Sequence, residues 1–206
     1  MLSEFLVYLR LGFEHITDPG GADHLLFVAA LTATDVDRPK HLVWLVTAFT
    51  LGHSLTLALA TLRLVSVSTA LVEILIPLTI IATCALNVAG ASRSMPAGAG
   101  HEGLSFKSGI VSGDRMRYAL AAGFGLIHGL GFSAFLRAAL GSEQGIVWPL
   151  FAFNSGLELG QLVIVAGLVV VAAGLMRLGR LGRPVWTLGV SGAAAVAAGV
   201  MIAGRL

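Results

Sequence analysis

Polar residues break this chain into apolar runs that are too long and too regular for a water-soluble fold. Runs near 42–62, 68–90, 117–139, 147–173 and 184–204 are each long enough to cross about 30 Å of hydrocarbon as a helix. A shorter run at 22–34 comes first, so the pattern predicts about six transmembrane segments in an all-α, polytopic membrane helix bundle. Trp44, Tyr118, Trp148 and Trp186 fall within a few positions of proposed helix starts, where amphipathic rings favour the headgroup layer. Ahead of these runs, Leu2, Leu6, Leu9, Phe13 and Ile16 recur at three- and four-residue steps, with Glu4, Arg10 and Glu14 off that stripe. This is the pattern of an amphipathic helix over 1–16 lying in the membrane interface. It lacks the basic n-region of a signal peptide and is expected to be retained. The stretch 91–116 is polar and rich in Gly and Ser, as in a surface linker, and its His101 and Glu102 read as a solvated pair.

Composition sharpens the picture. Of 206 residues, 56% are hydrophobic and only 12% are charged, where soluble domains carry about a quarter charged. The whole of 1–206 therefore reads as a single integral membrane domain. The 26 glycines against 6 prolines fit closely packed helices better than a flexible coil. A formal charge of +2 raises the question of nucleic acid, but the basic residues are scattered through short loops, which excludes a binding face for it. The single cysteine, Cys84, forms no intramolecular disulfide or thiolate cluster and reads as a small buried residue. Nine of the thirteen basic residues fall in alternate loops, opposite Arg10, Arg63, Arg137 and Arg205. The positive-inside bias then places both termini outside and the linker 91–116 in the cytoplasm.

The candidate chemistry lies at one depth. At about 1.5 Å per residue, His53 and His128 each lie roughly 16 Å from the inner start of their segments, and Glu158 about as deep from the outer side. Counting back from an inner end near Thr34 brings His24 to the same level, about 15 Å deep. The first segment therefore begins inside the membrane, after Pro19, Gly20 and Gly21 break the backbone, with Asp23 placed to cap the half-helix. Ionisable groups are costly in a bilayer, so several at one level mark a site more than they mark packing. Asn154 and Gln161, about one turn either side of Glu158, are candidates to line the same cavity. Neutral imidazoles with carboxylates suit a divalent transition metal such as nickel, zinc, copper, cobalt or iron. The metal residues are expected to be His24, His53, His128, Glu158 and Asp23. His15 is either an entry ligand or interfacial, Asp18 a turn residue beside Pro19, and His41 interfacial.

"FTLGH" (49–53) and "FGLIH" (124–128) share F-x-L-x-H, and each is followed by a segment with one acid, Glu73 and Glu158. This echo predicts a duplicated helix pair in parallel orientation. Gly125 and Gly129, with Gly156 and Gly160, provide two small-xxx-small faces.

In this order, "HITDPGGADHLLF", "TAFTLGHSLTLALATL", "FGLIHGLGFSAFL" and "FNSGLELGQL" resemble the HupE/UreJ family of bacterial membrane proteins over most of the chain. The resemblance implies an inner-membrane permease, linked to hydrogenase and urease maturation and to nickel, with His24, His53, His128 and Glu158 matching its polar motifs. The chain departs from that family's nickel branch in two places. Seven residues rather than five separate His15 from Asp23, and Phe132 stands where that branch has a second histidine. Expected partners are the metal ion and the lipid bilayer, with a homo-oligomer and metalloenzyme maturation factors as further candidates. Two other readings use the same residues: an intramembrane metal-dependent enzyme of hydrolase type, with Glu158 as base and Ser54 or Ser133 as helper, and a membrane metallochaperone or sensor. The enzyme reading lacks an H-E-x-x-H signature.

Overall fold

The computed structural model describes residues 2–93, 113–140, 145–179 and 181–205, and all regular structure among them is helical. The order is α1 (Leu2–Thr17), a 3-10 turn (Pro19–Gly21), α2 (Ala22–Thr32), α3 (Pro39–Thr61), α4 (Thr69–Arg93), α5 (Asp114–Gly131), α6 (Ser133–Leu140), α7 (Val147–Arg177) and α8 (Arg183–Ala203). Four of these, α3, α4, α7 and α8, are long and apolar enough to cross a bilayer, and α5 with α6 makes a fifth candidate. Most of the linker expected at 91–116, with His101 and Glu102, lies outside the described residues; its two ends belong to α4 and α5.

Two sequence expectations change in detail. The run 117–139 is two helices rather than one, and they meet at Phe132 with a bend of 52°. Gly131 and Ser133 flank the break, and such Gly/Ser positions are the usual sites of sharp kinks away from proline. The first segment does break at Pro19–Gly21, but Asp23 is not its cap. Gly21 occupies the N-cap of α2 without a side-chain bond, and Asp18 caps the preceding turn by accepting from the Gly20 N–H at 2.8 Å.

Helix α1 packs lengthwise on the first half of α7. A Cβ on Gly12 would meet the Phe153 carbonyl oxygen at 1.9 Å, and one on Gly156 would meet that of Leu9 at 1.8 Å. Further along, a Cβ on Gly160 would strike the Ile16 side chain at 2.2 Å. Both sequences ascend together through these contacts, so the helices run parallel with backbones in direct contact. The buried face of α1 is Tyr8, Gly12 and Ile16, while Leu2 and Leu6 are 75% and 54% exposed. The leucine-centred stripe read from periodicity is therefore only partly the packed one, because the closest approach is made by a glycine that periodicity does not score.

The same joint recurs between α3 and α5. A Cβ on Gly52 would lie 2.0 Å from the Ala122 oxygen, and Cβ atoms on Gly125 and Gly129 would each lie 2.2 Å from the oxygens of Phe49 and His53. The two copies of F-x-L-x-H are thus parallel neighbours at one crossing. Helix α4 pairs with α8, where Asn87 donates to Ser191 Oγ at 3.1 Å and to the Ala30 carbonyl at 2.7 Å. Phe27, Phe49, Phe153, Leu157 and Ile16, all fully buried, fill the space where α1, α2, α3 and α7 converge. Cys84 is buried, as its chemistry predicts.

At the end where α2 turns into α3, charged residues tie the elements together. Arg38 forms a fork to Asp114 at 3.1 and 2.7 Å, and Arg117 reaches Asp35 and Thr34. The hydrogen bond to Asp114 holds the Arg38 guanidinium above its ordinary pKa.

Candidate metal centre

Four helices deliver imidazoles to one point. The crossing of α3 on α5 fixes His53, which follows Gly52, and His128, which precedes Gly129. The crossing of α1 on α7 carries His15 to the last turn of α1, and the 3-10 turn redirects the chain so that α2 opens with His24 in its first turn. His15, His24 and His53 can each offer a nitrogen such that the three lie within 4.8 Å of one another. Ring centroids stand 4.6 Å apart for His15 and His24, 5.8 Å for His24 and His53, and 6.2 Å for His15 and His53. His128 adjoins this group, its centroid 5.0 Å from that of His24. An ion held at about 2.1 Å by tetrahedral nitrogens would draw the donors to about 3.4 Å apart, a movement within reach of side-chain rotation.

Hydrogen bonds decide which nitrogens remain available. His24 Nδ1 lies 3.0 Å from Asp23 Oδ1. A carboxylate accepts only, so Nδ1 carries the proton and Nε2 keeps its lone pair. The Thr79 hydroxyl gives its proton to the Ile76 carbonyl at 2.6 Å and sits 2.9 Å from His128 Nε2. It must therefore accept from that nitrogen, which leaves the lone pair of His128 on Nδ1. His15 Nε2, His24 Nε2, both nitrogens of His53 and His128 Nδ1 are all buried without a hydrogen-bond partner. Buried polar atoms are paired in the great majority of cases, so five orphans on four neighbouring rings point to a ligand. The walls are aromatic: Phe132 lies 3.9 Å from the His15 ring, with Phe49 and Phe27 beside His128 and Phe153 beside His53.

Of the expected residues, the structure brings together His24, His53 and His128, with Asp23 behind His24 as an orienting carboxylate. It adds His15, which the sequence left undecided between an entry ligand and an interfacial residue. Glu158 stands outside the three-histidine group and accepts from the Thr47 hydroxyl of α3. Gln161 accepts from Thr50 at 2.9 Å, one turn away. Asn154 donates to its own helix, at the Leu150 carbonyl, and its side chain also interacts with His53, so it lines the same cavity. Glu73 is exposed near the start of α4, where Arg205 donates to its backbone carbonyl. His41 is buried at the charged end between Asp35 and Asp114. Asp18 is the turn residue expected of it.

Comparison with known proteins bears on this arrangement. No curated protein and no solved structure matches the chain. The family model described as HupE / UreJ protein matches residues 1–204, and that family is associated with nickel or cobalt transport or accessory function. With a multi-helix bundle and a buried imidazole cluster already in place, a match over essentially the full length makes the chain a member of the HupE/UreJ family.

Proposed function

We propose that this chain is a permease for a divalent transition metal, nickel or cobalt by its family association, and that the ion passes through the imidazole group of His15, His24 and His53 with His128 beside it. The observation that carries this reading is the set of buried imidazole nitrogens without partners at the point where four helices meet. Neutral nitrogen donors bind such ions selectively over the hard cations magnesium and calcium.

In this reading α1, packed along the α7 span rather than lying in the interface as its amphipathic pattern suggests, forms one broken crossing with the 3-10 turn and α2, which brings the total to six. The bundle sits in a bacterial inner membrane with both termini outside and the segment 91–116 in the cytoplasm, an orientation supported by the bias of the basic residues. The enzyme alternative draws less support. Its base, Glu158, is bonded to Thr47, and its helper hydroxyls, Ser54 and Ser133, donate to the carbonyls of Thr50 and Leu130.

Proteoliposomes holding the full chain and a metal-sensitive dye test the proposal. Nickel or cobalt should enter with the unmodified protein and fail to enter with His53→Ala. A protein that holds an ion tightly and moves none under any gradient would replace the permease with the sensor or enzyme reading. For topology, a cysteine placed at 101 in a Cys84→Ala background should resist an impermeant thiol reagent in intact cells. Ready labelling there would invert the orientation.

A further inference from the structure

Glu158 is the acidic residue that the histidine cluster does not use. It sits eleven residues into a 31-residue helix, half-buried, and makes no ion pair among the described residues. A carboxylate at that depth is costly without a positive partner. Its neighbours on α3 form an oxygen ladder: Thr47 donates to Glu158, and one turn nearer the histidines Thr50 donates to Gln161 Oε1 at 2.9 Å. Gln161 is fully buried, and its Nε2 has no partner. Thr47, Thr50 and His53 are spaced three apart, so they share one side of α3. Along that line Thr47, the partner of Glu158, stands about 9 Å from His53, toward the Pro39 end of α3.

We propose that Glu158, with the Thr47 hydroxyl and the Gln161 amide, forms a second cation station. There the metal ion pauses after leaving the imidazoles and before reaching the end of the bundle that holds Asp35 and Asp114. The two stations differ in chemistry. Nitrogen donors give selectivity for transition metals, whereas an oxygen set of one carboxylate, one hydroxyl and one amide binds the same ions weakly. A weak oxygen site beside a selective nitrogen site lets the ion leave without being trapped, because conduction needs binding that is multi-site and reversible. The partnerless Gln161 amide lets this side chain turn its oxygen toward an arriving ion at the loss of a single bond to Thr50.

This inference rests on the permease reading, and the test separates the two. Nickel binding to detergent-solubilised protein is measured beside nickel entry into dye-loaded proteoliposomes for the full chain, His53→Ala, Glu158→Gln and Thr47→Val. Glu158→Gln is expected to bind nickel at the histidines with unchanged stoichiometry and affinity, which also shows that it folds, while entry slows by about tenfold or more. Thr47→Val keeps the carboxylate and is expected to slow entry less. If Glu158→Gln does not fold, Thr47→Val decides alone: slowed entry with intact binding upholds the station, and unchanged entry overturns it. Entry at the unmodified rate in folded Glu158→Gln overturns the station and leaves the permease standing. Loss of nickel binding in that variant makes Glu158 a ligand of the histidine centre, which also overturns it. Unchanged nickel entry with loss of an accompanying proton flux assigns Glu158 to protons and overturns it again. If the unmodified protein admits no nickel while His53→Ala abolishes binding, it is the permease reading that has failed.

Discussion

His53 and His41 lie on the same helix, twelve residues apart, at 0% and 5% exposure, yet their surroundings are opposite. Around His41 the charges are already balanced. Asp35 and Asp114 flank the ring at 3.6 and 3.2 Å, and Arg38 and Arg117 neutralise both carboxylates. Around His53 there are further imidazoles, phenyl rings and one carboxylate, Asp23, whose ion-pair partner among the described residues is a histidine. A burial value does not separate these sites; the local charge count does. Both His41 nitrogens also lack a hydrogen bond, so unpaired nitrogens do not separate the sites; the end network is balanced in charge without a cation, whereas the interior cluster holds one carboxylate that a bound cation would balance.

Variants at the two sites can break that contrast. The largest effect is expected from His53→Ala, which removes a donor with no replacement in reach. Nickel binding by equilibrium dialysis should fall below detection, and retention of full affinity would return the ring to a packing role. Next comes Arg117→Gln at the end network, which leaves Asp35 nearly buried with one fewer cation and should cost about 3 kcal/mol of stability. Thermal unfolding in detergent should show that loss, with nickel affinity intact. If affinity falls as well, the two sites are coupled.

Asp23→Asn is expected to weaken nickel binding about 10- to 100-fold without loss of stoichiometry, because the amide no longer fixes the proton on His24 Nδ1. The sign of the pH effect follows from the same ring chemistry. Protons compete for the lone pairs that hold the metal, so affinity should fall as the medium is made acidic. A pH-independent affinity would contradict imidazole ligation. The smallest effect belongs to His41→Ala, which should leave nickel affinity within about twofold, since its neighbours are already paired.

Much of the centre was legible because depth in a membrane can be counted. One rise per residue sets a height, and His24, His53 and His128 agreed in height before any contact was known. Direction around the helix axis cannot be counted in this way, since it depends on which neighbour each helix packs against. Glu158 was counted to the same height, yet its carboxylate meets Thr47, six residues before His53 on α3, rather than the histidines. His15 stayed undecided for a related reason. Its place depends on α1 lying along α7, and the residue that permits this is Gly12, a position invisible to a hydrophobic stripe. The bend at Phe132 was missed because the apolar run carries on through it. The break before α2 was readable because Pro19, Gly20 and Gly21 leave few other choices.

The two glycine joints set the mechanical character of the centre. His53 and His128 each adjoin a glycine whose backbone touches the opposite helix, and His15 follows Gly12 by three residues. The ligands are therefore mounted on the places where main chain bears on main chain, and their spacing is inherited from the frame rather than from neighbouring side chains. A frame of that kind should accept a change of donor. Glutamate in place of one imidazole, a side chain of comparable reach, would offer a harder donor to the same spacing with the joints left untouched.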